Sequence, residues 1–236
     1  MKQLTKPSVS AAIFAIGGVF AMLMRFWLLS TGVDHRGLLV ISHPGCILSY
    51  AICAVLPVAL FILMRKEKKA LHFSLTPFSA AGYFALAIGF CLAAWNLVFT
   101  PYLAMRMATG IFGMAGAVCA LIAGIYALKG SRTHPLFFCP GILFFACFLY
   151  CRYQQWSAEP ELQQFVFQLL AAVLSMISLY QRAALSAHIG NNKHYLMWSR
   201  SAILVCLAAI PGSQLPLLWL AMAAFFTLDG CEETAA

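Results

Sequence analysis

PGCILSYAICAVLPVALFILM, residues Pro44–Met64, runs directly into Arg65-Lys66-Glu67-Lys68-Lys69, and that contrast decides the fold. The apolar stretch holds no charged side chain and is long enough to cross the hydrocarbon of a bilayer as a helix, which takes about 20 residues at 1.5 Å each. Working outward in both directions, the same pattern recurs: long apolar runs separated by short polar breaks. Over the whole chain 63% of residues are hydrophobic and 9% charged, with a mean hydropathy of +0.87. An ordinary soluble domain carries about 25% charged residues, so the chain reads as an integral membrane protein. A membrane β-barrel would show segments of about 10 residues in two-residue alternation, and these runs do not alternate.

Eight segments qualify as helices: Ser8 to Ser30, Pro44 to Met64, Phe78 to Phe99, Leu103 to Leu128, Pro135 to Arg152, Pro160 to Arg182, Tyr195 to Ile210 and Leu215 to Leu228. The expected class is all-α, a polytopic transmembrane bundle of about eight helices in a single domain spanning residues 1–236. The last two segments are short and are joined by Pro211-Gly212-Ser213-Gln214, which fits either a tilted spanning pair or a hairpin that dips in without crossing. The apolar run from Val9 to Met24 exceeds a usual secretory signal core, so the first segment reads as a retained anchor.

Orientation follows from the basic residues near segment ends. With a cytoplasmic N-terminus, the inner side takes Lys2, Lys6, Arg65, Lys66, Lys68, Lys69, Lys129, Arg132, Arg182, Lys193 and Arg200, leaving Arg25, Arg36, Arg106 and Arg152 of the fifteen for the outer side. Both termini are therefore expected in the cytoplasm. Trp27, Trp95, Trp156 and Trp219 fall near the outer interface and Trp198 near the inner one. The net charge of +8 needs no nucleic-acid partner: such binding would require basic residues clustered on a soluble face, and the dense run at Arg65 is a short juxtamembrane loop.

Small residues step by four along the third segment (Ala81, Ala85, Gly89, Ala93) and the fourth (Gly116, Ala120, Gly124), a spacing that lets helices approach closely in lipid. The nine cysteines are scattered and form no C-x-x-C pair, as small buried hydrophobes would. His35, His43 and Cys46 can approach one another in the first outer loop, but loop histidines beside a proline are ordinarily solvated, and no metal or cofactor is expected. H-E-x-x-H, G-x-S-x-G, phosphate-loop and dinucleotide motifs are missing. No lysine lies within an apolar run and no acid near a predicted midplane, which weighs against a Schiff base and against an ion-driven pump.

The most polar interval between apolar runs is CRYQQWSAEPELQQ, Cys151 to Gln164. At 100° per residue from Glu161, the residues Gln164, Gln168, Ser175 and Arg182 fall within about 60° of one another. Such a stripe cannot face lipid, so the sixth helix is expected to be central. Gln168 lies about 12 Å below Pro160 by helical rise. Arg25, Asn96, Arg106, Arg152 and Gln155 come to the same rim. In a functional reading, Arg25, Arg106 and Arg152 form a basic mouth for an anionic headgroup or carboxylate. Asn96, Gln155, Trp156, Glu161, Gln164 and Gln168 then contact the rest of the ligand. In a structural reading the arginines snorkel or pair with Asp34, Glu159 and Glu161, and the amides hold helices together.

RFWLLSTGVDHRGLL from Arg25, His43-Pro44, YCRYQQWSAEPELQQ from Tyr150, YQRAAL from Tyr180 and the later Gly190-Asn191-Asn192 resemble a family of small multi-pass bacterial membrane proteins without an assigned function. The resemblance covers patches in the first fifth and last third of the chain. It implies a polytopic fold in a bacterial inner membrane and no activity. The expected role is a non-catalytic solute- or lipid-binding, permease-like protein whose ligand is a small anionic or amphipathic molecule. The alternative is an accessory or sensory protein acting through a membrane protein partner, with a small-residue face on the third or fourth helix left open to lipid. An enzyme has least support, because no nucleophile and base pair by spacing.

Overall fold

The computed structural model describes residues 7–32, 39–40, 42–66, 71–73, 77–98, 104–131, 133–156, 162–229 and 231–233. Eight α-helices carry the fold: α1 (Pro7–Thr31), α2 (Pro44–Lys66), α3 (Pro77–Val98), α4 (Ala104–Leu128), α5 (Cys139–Trp156), α6 (Leu162–Ser186), α7 (Asn192–Ala209) and α8 (Pro216–Leu228). α1, α2, α3 and α8 each begin on proline, whose fixed φ suits the first turn and whose missing N–H costs nothing there. Asn191 caps α7 by accepting the Lys193 amide at 3.0 Å. α4 stops at Gly130, which takes a left-handed φ of 64° and lets the Ser131 amide reach back to the Tyr126 carbonyl.

Helices α1 to α6 are long and apolar enough to cross a membrane. Their outward faces carry Ile16, Val55, Ile88 and Ile111, each more than half exposed. That much apolar surface is stable against acyl chains and not against water, so the environment of these helices is a lipid bilayer.

Contacts run α3–α4, α4–α5, α5–α6, α6–α7, α7–α8 and α8–α3, which closes a ring of six helices, with α1 and α2 packed on the outside of α7. The ring is filled by rings of another kind: Phe90, Phe144, Phe145, Phe148, Trp219, Phe225 and Phe226 are all buried there. α3 is squeezed between two neighbours and uses its small residues on both. Gly89 meets α8, where an added Cβ would sit 2.4 Å from that of Ala221, while Gly124 of α4 lies against Tyr83 and Phe84. Most of the small-residue steps are spent inside the molecule: Gly89, Ala93, Gly116, Ala120 and Gly124 are buried, while Ala85 is half-buried and Ala81 exposed. Because the obstacle at Gly89 is a Cβ rather than the end of a flexible side chain, Gly89→Val is expected to cost about 1–3 kcal/mol by overpacking. A lowered SDS-unfolding midpoint would register it.

Three expectations change. The sixth helix is not the central one: α7 is, since every residue from Ser199 to Ala209 is buried. A helix enclosed by α1, α2, α6 and α8 needs no lipid-facing stripe, which is why its sequence looks short and mixed rather than like a span. Trp219 is 0% exposed and packs in the ring instead of at an interface. A strand pair also appears, β1 (Leu71–Phe73) with β2 (Cys231–Glu233), antiparallel with Leu71 opposite Glu233 and Phe73 opposite Cys231. It ties the connection between α2 and α3 to the segment after α8. Three residues a side leave no periodicity to read in sequence.

Candidate functional site

α7 and α8 form a hairpin in which α7 is buried from Ser199 onward and α8 ends on the buried Asp229, so the carbonyls at their C-terminal ends need partners that water would otherwise supply. Arginines supply them. Arg25 of α1, 1% exposed, donates from Nη1 to the Ala208 carbonyl in the last turn of α7 at 2.9 Å, with its guanidinium 4.4 Å from the centre of the Phe167 ring. Arg200 of α7 donates from Nη1 to the Phe226 carbonyl near the end of α8 at 2.5 Å. A cation at the C-terminal end of a helix also complements its dipole. The turn between the two helices is held by Gln168, whose Nε2 donates to the Gly212 carbonyl at 3.2 Å.

Above this hairpin, at the end of the ring carrying Asn96, Arg106 and Arg152, lies a cavity of about 170 Å³. Its walls come from α3 (Asn96, Leu97), α4 (Arg106, Thr109), α5 (Phe148, Cys151, Arg152) and the α7–α8 turn (Gln214, Leu215). Arg152 is buried, its guanidinium 5.3 Å from the Phe148 ring centre and its Nη2 donating to Oε1 of Gln214 at 2.6 Å. Arg106 sits in the first turn of α4, half-buried. There the helix dipole is already positive, so the cation adds to an unfavourable field that an anion would relieve. Thr109 follows one turn later, its hydroxyl 3.6 Å from the Cys151 sulfur, and Asn96 donates to the Leu92 carbonyl of its own helix at 2.9 Å. Two guanidiniums line the cavity, and no carboxylate does among the described residues.

Asn96, Arg106 and Arg152, three of the residues expected at the rim, thus share one cavity. Arg25 and Gln168 are not in its lining and hold the hairpin instead. The backbones of Gln155, Trp156 and Gln164 lie in α5 and α6, but their side chains fall outside the described residues, as Glu161 does entirely, together with Asp34 and Glu159. Thr109, Cys151, Phe148, Leu97, Gln214 and Leu215 were not foreseen. Helical spacing could have found two of them, Thr109 three residues after Arg106 and Phe148 four before Arg152. Gln214 meets Arg152 across 62 residues of chain and leaves no local signal.

His43 is engaged locally, with Nε2 3.2 Å from the Thr31 hydroxyl, Nδ1 accepting the Gly45 amide and the ring edge-on to Trp27 at 4.8 Å. His35 lies outside the described residues, among which no three His, Cys, Asp or Glu side chains are placed to hold a metal.

At the opposite end of the ring is a second polar cluster. Arg182 of α6 donates from Nε to Oδ2 of Asp229 at 2.8 Å, with side-chain exposures of 3% and 0%. The Tyr195 hydroxyl of α7 donates to the same oxygen. Asp229 is the C-cap of α8, so the pair fastens that end of the hairpin to α6. Arg182 lies 5.6 Å from the Phe138 ring centre. Asp229 does lie at a helix end, and its burial there follows from α8 stopping short. Thirteen residues rise about 20 Å, against about 30 Å of hydrocarbon. No family model, curated protein or solved structure matches the chain.

Proposed function

We propose that the chain is a bacterial inner-membrane protein, both termini cytoplasmic, that binds a small anionic or amphipathic molecule without chemistry, as a solute-binding or permease-like protein does. The observation that carries this reading is the convergence of Arg106 and Arg152 with Asn96, Thr109 and Gln214 on one cavity whose described lining has no acid. Guanidinium forks suit carboxylate and phosphate oxygens. At about 170 Å³ the space falls below the roughly 300–1,000 Å³ of drug-sized pockets, so it suits a headgroup or a small oxyanion rather than a large solute. The excess of basic residues at the ends opposite Arg106 and Arg152 supports an outward-facing cavity. The partner-protein alternative has less support because most of the small residues it relied on are covered by neighbouring helices of the same chain, Ala81 being the exposed exception among them.

The test is thermal stability of the purified protein in detergent with inorganic phosphate, acetate or glycerol phosphate added at constant ionic strength. A ligand at a hundredfold its Kd stabilises by about 2.7 kcal/mol through mass action, which raises Tm by several degrees. Arg106→Ala and Arg152→Ala should each weaken that response about tenfold in ligand concentration. Gln168→Leu should lower stability and leave the response in place. If all three anions still act undiminished on the Arg106→Ala and Arg152→Ala proteins, or none acts on the unaltered one, the reading is wrong. Native mass spectrometry of a co-purifying lipid or metabolite would identify the natural ligand.

A further inference from the structure

The two polar clusters lie toward opposite ends of the same six-helix ring. From Tyr83, beside the far cluster, to Asn96, beside the cavity, α3 rises about 20 Å. The interval is walled by aromatic rings. Phe148, which lines the cavity, meets Trp219 at 6.0 Å; Trp219 stacks on Phe145 at 6.2 Å; Phe145 meets Phe90 at 5.9 Å; and Tyr83 meets Phe138 at 6.2 Å at the far end. Each end of this column carries a guanidinium against a ring, Arg152 on Phe148 and Arg182 on Phe138. An apolar layer thus separates a guanidinium at the rim cavity from a second guanidinium at the far cluster, and a hydrophobic constriction between polar groups is one way that membrane pores are gated.

The far cluster differs from the cavity in holding its own anion. Asp229 presents Oδ2 to Arg182 and Tyr195, while its Oδ1 is buried and makes no hydrogen bond among the described residues. A carboxylate used only for fastening would ordinarily have its second oxygen satisfied as well. An ionisable residue inside a membrane protein, paired and turned to the bundle interior, is also where ion and substrate paths are found.

We propose that Arg182, with Tyr195, is a second anion station, reached from the rim cavity along the ring axis, in which the Asp229 carboxylate occupies the place that the charged group of a travelling oxyanion takes. The inference rests on the cavity being an anion site. In the conformation described, the aromatic layer closes the path. An arriving oxyanion exchanges with Asp229 on the Arg182 fork, and the release of Asp229 frees the C-terminal end of α8, the helix whose first turn carries Trp219 of the closing layer. No bond is made or broken; one ion pair replaces another.

The experiment compares Asp229→Asn with the double variant Arg182→Gln/Asp229→Asn, both full-length, with inorganic phosphate as the probe. Asparagine keeps the shape of the side chain and an acceptor for Tyr195 while vacating the charge, and the double variant removes the cation too. In detergent, with Arg152→Ala added to both so that the rim cavity is weakened, phosphate should stabilise the Asp229→Asn protein at lower concentration than the double variant, which keeps only the weakened rim response. In liposomes loaded with radiolabelled phosphate and without Arg152→Ala, the Asp229→Asn protein should release the label about tenfold faster than the double variant, the factor expected of one charge-assisted fork. Equal stabilisation, or equal release, would overturn the proposal and leave the cluster a clasp between α6 and α8. A lost phosphate response in Arg106→Ala and Arg152→Ala proteins tests the rim cavity separately, so failure of one site is distinguishable from failure of the other.

Discussion

Asp229→Leu, made alone, should lower the stability of the folded protein by about 3–5 kcal/mol, the cost of leaving one member of a buried ion pair without the other. The asymmetry of the pair sharpens the expectation. If Arg182 is replaced by methionine, Asp229 can take up a proton and keep the Tyr195 hydroxyl as a neighbour, so part of the cost is avoided. If Asp229 is replaced, the guanidinium cannot shed its charge. Asp229→Leu should therefore be the more harmful single change and Arg182→Met the milder, while the double Arg182→Met/Asp229→Leu recovers most of the loss, as buried pairs exchanged for apolar residues of similar size generally do. SDS-unfolding midpoints of the three proteins give the ordering. A double variant as unstable as Asp229→Leu alone would mean that the pair stabilises beyond its own desolvation.

Trp219→Ala should cost a comparable amount, about 3–5 kcal/mol, by opening a cavity in a close-packed interior. The indole is fully buried, contacts Phe145 and Phe148, and donates from Nε1 to the Ser213 hydroxyl at 2.8 Å. Two contributions are thus combined, and Trp219→Phe separates them: it keeps most of the ring packing and gives up the hydrogen bond, a loss of about 1 kcal/mol beyond the missing volume. Because Ser213 belongs to the turn that also supplies Gln214 to the cavity, Trp219→Ala should further weaken anion-dependent stabilisation, measured as the shift in Tm with phosphate. An unchanged shift would show that the turn is held without the indole.

The helices were legible because lipid demands uninterrupted apolar length. Pro44, Ala104 and Leu128 bound helices within a residue of where hydropathy and proline place them, and even the short α8 begins one residue from its expected start. Their arrangement was far less legible. An arginine one turn from the end of an apolar run carries the same local signature whether it snorkels to headgroups, as Arg25 was free to do, or caps a buried carbonyl 183 positions away. Only the tertiary placement of α7 distinguishes the two. The same holds for Trp219, whose position near a segment end suits an interface belt or a core equally. Of the three arginines expected at the rim, Arg106 and Arg152 share the cavity because both lie on the same side of adjacent helices, a matter of topology rather than of detailed packing. Gln214, in a turn, could be placed only once the hairpin was.

That the most enclosed helix follows six others in the chain has a bearing on biogenesis. A ribosome delivers α1 to α6 to the membrane before α7 and α8 emerge, so the outer helices must wait loosely associated until the hairpin slots between them. α7, with Arg200 and three serines or asparagines among its residues, is a poor candidate for insertion by itself and would enter lipid only with that scaffold to receive it. Truncation before the hairpin should then yield a protein that integrates with the right number of early crossings yet never compacts, and that cellular quality control removes.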